Sequence, residues 1–180
     1  MTNKFIAVLI FVLFSFSALG NAGKPGMTFI GSFTNMKFDN EHAYGSEVEL
    51  WKDANDIFGL FLHSEGLAGD TPTGRLDNLS FDPKTKSLSF VSKLTIGSHG
   101  CRIHHEIPSQ DLFQFRGMLK GNTLTGTLRR SDGLHPEKKP IEEKVVLKKE
   151  REPSGRTEYK NYAEWRQDIE AILSVRGPKW

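Results

Sequence analysis

Ser87-Leu88-Ser89-Phe90-Val91-Ser92-Lys93-Leu94-Thr95-Ile96 is the stretch that decides the fold. Leu88, Phe90, Leu94 and Ile96 fall on one side of an extended chain, and Ser89, Lys93 and Thr95 on the other. Side chains that alternate at period two mark a strand with one buried face. The same pattern continues downstream. Phe113, Phe115, Gly117 and Leu119 alternate with Gln114 and Arg116, and Leu124, Gly126 and Leu128 with Thr125, Thr127 and Arg129. Ile141, Val145 and Leu147 end the series, and Leu79 and Phe81 precede it. Further upstream, Phe29, Gly31 and Phe33 alternate, then Val48 and Leu50 against Glu47, Glu49 and Trp51. Phe58, Leu60 and Leu62 follow, with Phe61 making the opposite face partly apolar. Cys101, Ile103 and Ile107 share a face against Arg102, His104 and Glu106.

Turn chemistry separates these runs. Asp82-Pro83-Lys84-Thr85-Lys86 has the proline that presets φ in a tight turn, and Gly121-Asn122 tolerates positive φ between two strands. Short connections between successive strands make antiparallel neighbours. Eight or nine such strands predict an all-β antiparallel meander. Closing it into a barrel removes the edges that invite aggregation, and a two-layer β-sandwich is the alternative. Two connections, residues 64–74 and 131–140, are longer and are the expected places for a binding surface.

Past the strands, residues 151–157 form a charged linker with Pro153, Ser154 and Gly155. Tyr162, Trp165, Ile169, Ile172 and Leu173 then recur at helical spacing. This predicts one C-terminal helix over 158–174, capped by Thr157 and followed by a tail, 175–180. An isolated helix of that length is marginal, so it should dock on the strands. Trp51, on the polar side of its strand, marks either that docking site or an interface.

Ahead of the strands, Lys4 is followed by an apolar run from Phe5 to Leu19 and by Gly20-Asn21-Ala22. A basic start, a short apolar run and a small-residue exit predict a secretory signal peptide over 1–22, cleaved after Ala22. The run is too short to span a bilayer as a helix, which takes about 20 residues. The expectation is a secreted or periplasmic protein with no stable membrane insertion. Residues 23–150 then make one barrel domain.

The 180-residue chain carries 24 Lys and Arg against 22 Asp and Glu, a formal charge of +2. Loss of the first 22 residues removes Lys4 alone among the charged residues. The remaining bases are interleaved with acids, as in Glu142-Glu143-Lys144 and Lys148-Lys149-Glu150-Arg151-Glu152. Such mixed runs read as solvated faces rather than as a nucleic-acid footprint, so no nucleic-acid partner is expected. The single cysteine, Cys101, rules out an internal disulfide.

The layout resembles that of the secreted lipocalin and avidin-like barrels. The resemblance rests on the signal segment, the opening Ile30-Gly31-Ser32-Phe33-Thr34, the hairpin over 113–128 and the late helix. It implies a barrel and a cavity for a small ligand. Lipocalins usually carry Gly-x-Trp on the first strand, where this chain has Phe33, and their disulfide has no counterpart here.

His99-Gly100-Cys101-Arg102-Ile103-His104-His105-Glu106 concentrates metal-ligating side chains. On a strand, Cys101 and His105 share a face, and His63 or His42 would have to join them from elsewhere. Cys101, His105 and His63 are thus the candidate metal ligands. A nucleophilic Cys101 needs a base within reach among His99, His104 and His105, and adjacency in sequence does not supply that. The reading from sequence is a non-enzymatic binding protein with no cofactor. Its expected lumen, for a small apolar molecule, is lined by Phe58, Leu60, Phe90, Leu94, Phe113 and Phe115. The alternative is an extracytoplasmic protein-interaction module or inhibitor acting through its long loops.

Overall fold

The computed structural model describes residues 26–54, 56–100, 107–151 and 158–180. The signal segment, Cys101, His104 and His105, and most of the charged linker lie outside the described residues.

The strands are β1 (Thr28–Thr34), β2 (Lys37–Asp39), β3 (His42–Asp53), β4 (Asp56–Leu67), β5 (Thr73–Arg75), β6 (Asp77–Phe81) and β7 (Ser87–Leu94). After them come β8 (Ser98–His99), β9 (Ile107–Pro108), β10 (Asp111–Lys120), β11 (Thr123–Asp132) and β12 (Ile141–Lys149). One helix, α1 (Tyr162–Arg176), follows. Nine strands hydrogen-bond in the order β5-β4-β3-β1-β12-β11-β10-β7-β6, every pair antiparallel, and β2 adds to β3. The two ends of that order, β5 and β6, are separated in sequence by Leu76 alone. Their chain pairs with β4 on one half and with β7 on the other, and so bends the sheet back on itself. At Gly74 the approach to β7 leaves no room for a side chain: a Cβ there would overlap the Lys93 carbonyl oxygen and lie 2.6 Å from Ser92 Oγ. The expected barrel is thus nearly closed, and with β5 and β6 taken as one bent strand it has eight staves.

Inside, Phe33, Val48, Leu50, Phe61, Leu88, Phe90, Leu94, Phe113, Phe115, Leu124, Leu128, Val145 and Leu147 are buried together. Phe61 lies 5.7 Å from Phe90 and 5.2 Å from Phe113 between ring centroids, and Phe90 stacks on Phe115 at 5.2 Å. The second core lies outside the barrel. Trp165 and Ile169 of α1 pack on Trp51, Phe58 and Leu60. The Trp51 and Trp165 rings are 5.9 Å apart, so the aromatic on the polar side of β3 is the helix docking site.

Phe58 and Leu60 therefore do not line the lumen. The register pairs Phe58 with Trp51 and Leu60 with Glu49, all on the outer face, and Phe61 with Val48 on the inner one. β4 lies between the core and the helix, so both its faces are apolar and alternation alone does not tell them apart. Two boundaries also shift. β4 runs on to Leu67, so strand occupies part of the expected 64–74 loop. The helix begins at Tyr162 rather than 158 and reaches Arg176. Asn161, not Thr157, is its cap: Asn161 Oδ1 accepts from the Glu164 N–H at 3.0 Å, and Glu164 Oε2 accepts from the Lys160 N–H at 2.8 Å.

The two ends of the barrel differ. At one end the strands meet in tight turns, Pro83–Thr85 and Gly121–Asn122 among them. The other end carries the long connections between strands: residues 35–41, 68–72, 95–110 (of which 101–106 lie outside the described residues) and 133–140.

Candidate functional site

Strand alternation continues past the aromatic core toward the loop-bearing end, but the inward side chains change character. On β3 and β4 the inner pair above Val48 and Phe61 is Ser46 and His63, and the next is Tyr44 and Glu65. On β10 and β11 the inner pairs are Phe113 with Arg130, then Asp111 with Asp132. Ser46, His63, Glu65, Arg130 and Asp111 form one connected network. Ser46 Oγ lies 2.9 Å from His63 Nδ1, and His63 Nε2 lies 3.4 Å from Glu65 Oε1. Arg130 donates from its terminal nitrogen to both Glu65 oxygens, at 3.0 and 2.9 Å, and from Nε to Asp111 Oδ1 at 2.8 Å. Asp111 Oδ2 accepts from the Ser109 hydroxyl at 2.5 Å and from the Ile96 N–H at 3.1 Å. The apolar core seats this layer: the His63 ring is 4.9 Å from that of Phe113, and the Arg130 guanidinium is 5.7 Å from the same ring.

Burial and neighbouring charges together set the protonation of this layer. It pushes the His63 pKa below its ordinary value, against the pull of Glu65, so the imidazole is neutral at neutral pH. Burial alone would raise Glu65, but the hydrogen bond and charge of Arg130 outweigh it and hold the carboxyl below its usual range. Burial likewise works against charge on Arg130, and Asp111 and Glu65 more than offset it.

The sign of the pH dependence follows. The unfolded chain takes up a proton on His63 near 6.5 and the folded chain only at lower pH. The stability held by neutral His63 is complete above pH 6.5 and is lost as pH falls through the depressed folded value. Thermal melts between pH 7 and pH 5 should therefore fall more steeply for the native protein than for His63→Gln, which cannot titrate. Parallel curves for the two proteins would remove this role from His63.

Serine, imidazole and carboxylate in hydrogen-bonding sequence is also how a nucleophilic serine is activated. Here Ser46 is only 2 % exposed, beneath the layer rather than open to a substrate. Both ring nitrogens of His63 are engaged within the layer, and Cys101 and His105 lie outside the described residues. Among the described residues no three His, Cys, Asp or Glu side chains are placed to hold a metal ion. The structure does bring His99 and His135 together, with ring centroids 5.7 Å apart, beside Asp132. Asp132 is already committed to Lys138 at 3.2 Å and to the N–H groups of Leu134 and His135.

Of the expected lumen residues, Phe90, Leu94, Phe113 and Phe115 do face inward, each no more than 2 % exposed. They pack against one another and against Phe61 rather than around an open space. Sequence reading missed Arg130, Asp111, Ser46 and Glu65. The signal was present: each stands two residues beyond an inward apolar position of its own strand, or beyond His63 in the case of Glu65. A polar residue at an inward position marks a partnered interior or a site.

Exposed apolar side chains gather at the same end of the barrel. Phe38, Tyr44, Leu67, Ile107 and Ile141 all lie at the loop-bearing end, and Phe38 is the most open of them at 71 %. Tyr44 stacks with His42 at 6.2 Å.

Compared with protein families, curated proteins and solved structures, the chain finds no match. The class the geometry defines is architectural: a nearly closed antiparallel barrel with a filled interior, one helix on its wall and its loops gathered at one end. Among the described residues no helix is long and apolar enough to cross a membrane.

Proposed function

We propose that the protein is a non-enzymatic binding module of the extracytoplasmic space that holds a protein partner at the loop-bearing end of its barrel. The observation that carries this is the gathering of Phe38, Tyr44, Leu67, Ile107 and Ile141 at the end that holds the cross-linked polar layer. Exposed apolar side chains scattered singly need no explanation, but a group at one end, rimmed by charge, is how an interface core is built. Glu137 and Lys138, on the connection over 133–140, supply charge at its edge. The extracytoplasmic placement rests on the sequence of residues 1–22. The mutual packing of Phe90, Phe113 and Phe115 favours this reading over a small apolar ligand in the lumen, because side chains that fill an eight-stranded barrel leave no cavity.

Native mass spectrometry of the protein from its own host, beside a Phe38→Ser/Leu67→Ser variant, tests the proposal. The expected result is a protein partner on the native chain and a bare monomer for the variant. A retained organic molecule below about 1 kDa on both chains, released only on unfolding, would instead select the lumen.

A further inference from the structure

Period two also sorts the charges on the outer wall. Beyond the Leu112–Ser131 pair at the loop end, the outward positions on β10 are Gln114, Arg116, Met118 and Lys120; on β11 they are Thr123, Thr125, Thr127 and Arg129; on β12 they are Glu142, Lys144, Val146 and Lys148. The registers align them in rows across the three strands: Gln114–Arg129–Glu142, Arg116–Thr127–Lys144, Met118–Thr125–Val146 and Lys120–Thr123–Lys148. The run that reads as mixed charge in sequence is thereby separated, because Glu143 and Lys149 fall on the other face.

Glu142 is the only carboxylate in these rows, and Arg129 holds it at 3.6 Å while donating to Gln114 at 3.0 Å. Arg116, Lys120, Lys144 and Lys148 are exposed and have no carboxylate partner among the described residues. Lys144 Nζ donates to Thr127 Oγ1 at 2.7 Å. Helix α1 leaves this face open: in the order of strands β11 stands four places from β4 by either way round, and the helix packs on β3 and β4.

We propose that this face binds a linear acidic polysaccharide laid along β11. The proposal is independent of the loop-end reading. Thr123, Thr125 and Thr127 make a column of hydroxyls, with Arg116 and Lys120 along one side and Lys144 and Lys148 along the other. Neighbouring strands are about 4.8 Å apart and alternate residues about 7 Å, so the track is about 10 Å wide. A shallow groove of about 280 Å³ lies at its upper part, lined by Gln114, Arg116, Thr127, Arg129 and Glu142. Hydroxyls suit sugar hydroxyls, and flanking cations suit carboxylate or sulfate groups repeated along a chain. No aromatic ring stands in these rows, so the base stacking that single-stranded nucleic acid uses is missing. Val146 and Met118 are the only apolar side chains there, too small an anchor for a bilayer on a convex wall.

The test uses the whole protein and a heparin octasaccharide as probe, with binding measured by titration calorimetry at 50 and 200 mM salt. With four charge contacts, each releasing about 0.7 of an ion as on a single strand, affinity should fall on the order of fiftyfold between the two salts. Arg116→Gln, Lys120→Gln, Lys144→Gln and Lys148→Gln combined should lose about tenfold or more in affinity. A control removing the same charge elsewhere, Lys84→Gln, Lys86→Gln, Lys139→Gln and Lys160→Gln, should change it by about twofold or less. Thr125→Val, which alters no charge, should also weaken binding. These substitutions are on exposed wall and turns, and matched thermal midpoints show that each variant is folded. Absence of saturable binding by the native protein, equal loss in both charge variants, or tighter binding to phosphatidylglycerol vesicles or to an oligothymidylate would each overturn the proposal.

Discussion

Gly126→Val loses the cooperative unfolding transition, or keeps it at a cost of about 3 kcal/mol or more. Gly117 of β10 and Gly126 of β11 face each other across one register pair, and the Phe115 ring lies over both. A Cβ at 117 would stand 2.5 Å from Phe115 Cζ and overlap the Thr125 carbonyl oxygen. A Cβ at 126 would stand 2.6 Å from the same ring atom and overlap the Arg116 carbonyl oxygen. Neither obstacle is the free end of a flexible chain. Phe115 is wedged against Phe90, and the oxygens belong to the ladder itself. A circular-dichroism melt checks the loss. Phe115→Leu should relieve part of the strain, so Phe115→Leu with Gly126→Ala should cost less than the sum of the two alone. Strict additivity would mean that the ring is not what holds the glycines.

The second large effect is at Arg130. Arg130→Met leaves Asp111, 4 % exposed, with the Ser109 hydroxyl and the Ile96 N–H but without its counter-charge. Removing one partner of a buried pair costs about 3–5 kcal/mol, most of it for the charge left behind. The other arm of the network behaves differently. Glu65 has a half-exposed side chain, so Glu65→Gln should cost no more than about 1 kcal/mol. Arg130→Lys should fall between the two, since an ammonium cannot span Asp111 and Glu65 as the planar guanidinium does. Asp111→Asn combined with Arg130→Met should recover much of the loss. Urea unfolding of these variants at pH 7 checks the order. Equal costs for Arg130→Met and Glu65→Gln would show that Asp111 is stabilised by its neutral partners alone.

What was legible in sequence follows from where apolar faces are unambiguous. β7, β10 and β11 each have one apolar and one polar side, and residues 87–96, 113–119 and 124–128 reveal strand, face and meander at once. The nearly closed barrel and the docked helix follow from them. β4 gave strand but not face, because Phe58 and Leu60 are covered by Trp165 while Phe61 is covered by Phe90 and Phe113. The helix start was misplaced because two residues, Thr157 and Asn161, both offer a capping oxygen and only the fold chooses between them. The polar layer was the hardest to read. Its members come from β3, β4, β10 and β11, and no local spacing announces that Ser46, His63, Glu65, Arg130 and Asp111 meet. The outer basic face was hidden for a simpler reason: charges counted along the chain cancel, whereas charges counted every second residue do not.

The pairing of β1 with β12 sets when the molecule can fold. Phe33 pairs with Lys149 and Thr34 with Lys148, joining the first and last strands of the sheet in one seam across about two thirds of the chain. Loop closure over such a distance is entropically slow, and topologies dominated by distant contacts fold in milliseconds to seconds. Until β12 emerges from the ribosome, β1 has only β3 beside it and the inner faces of Phe33, Leu124 and Leu128 have no lid. The seam between β1 and β12, and with it the closed barrel, therefore waits on the last strand to be made. Any factor that delays that closure acts on a chain that is still thin enough to be threaded.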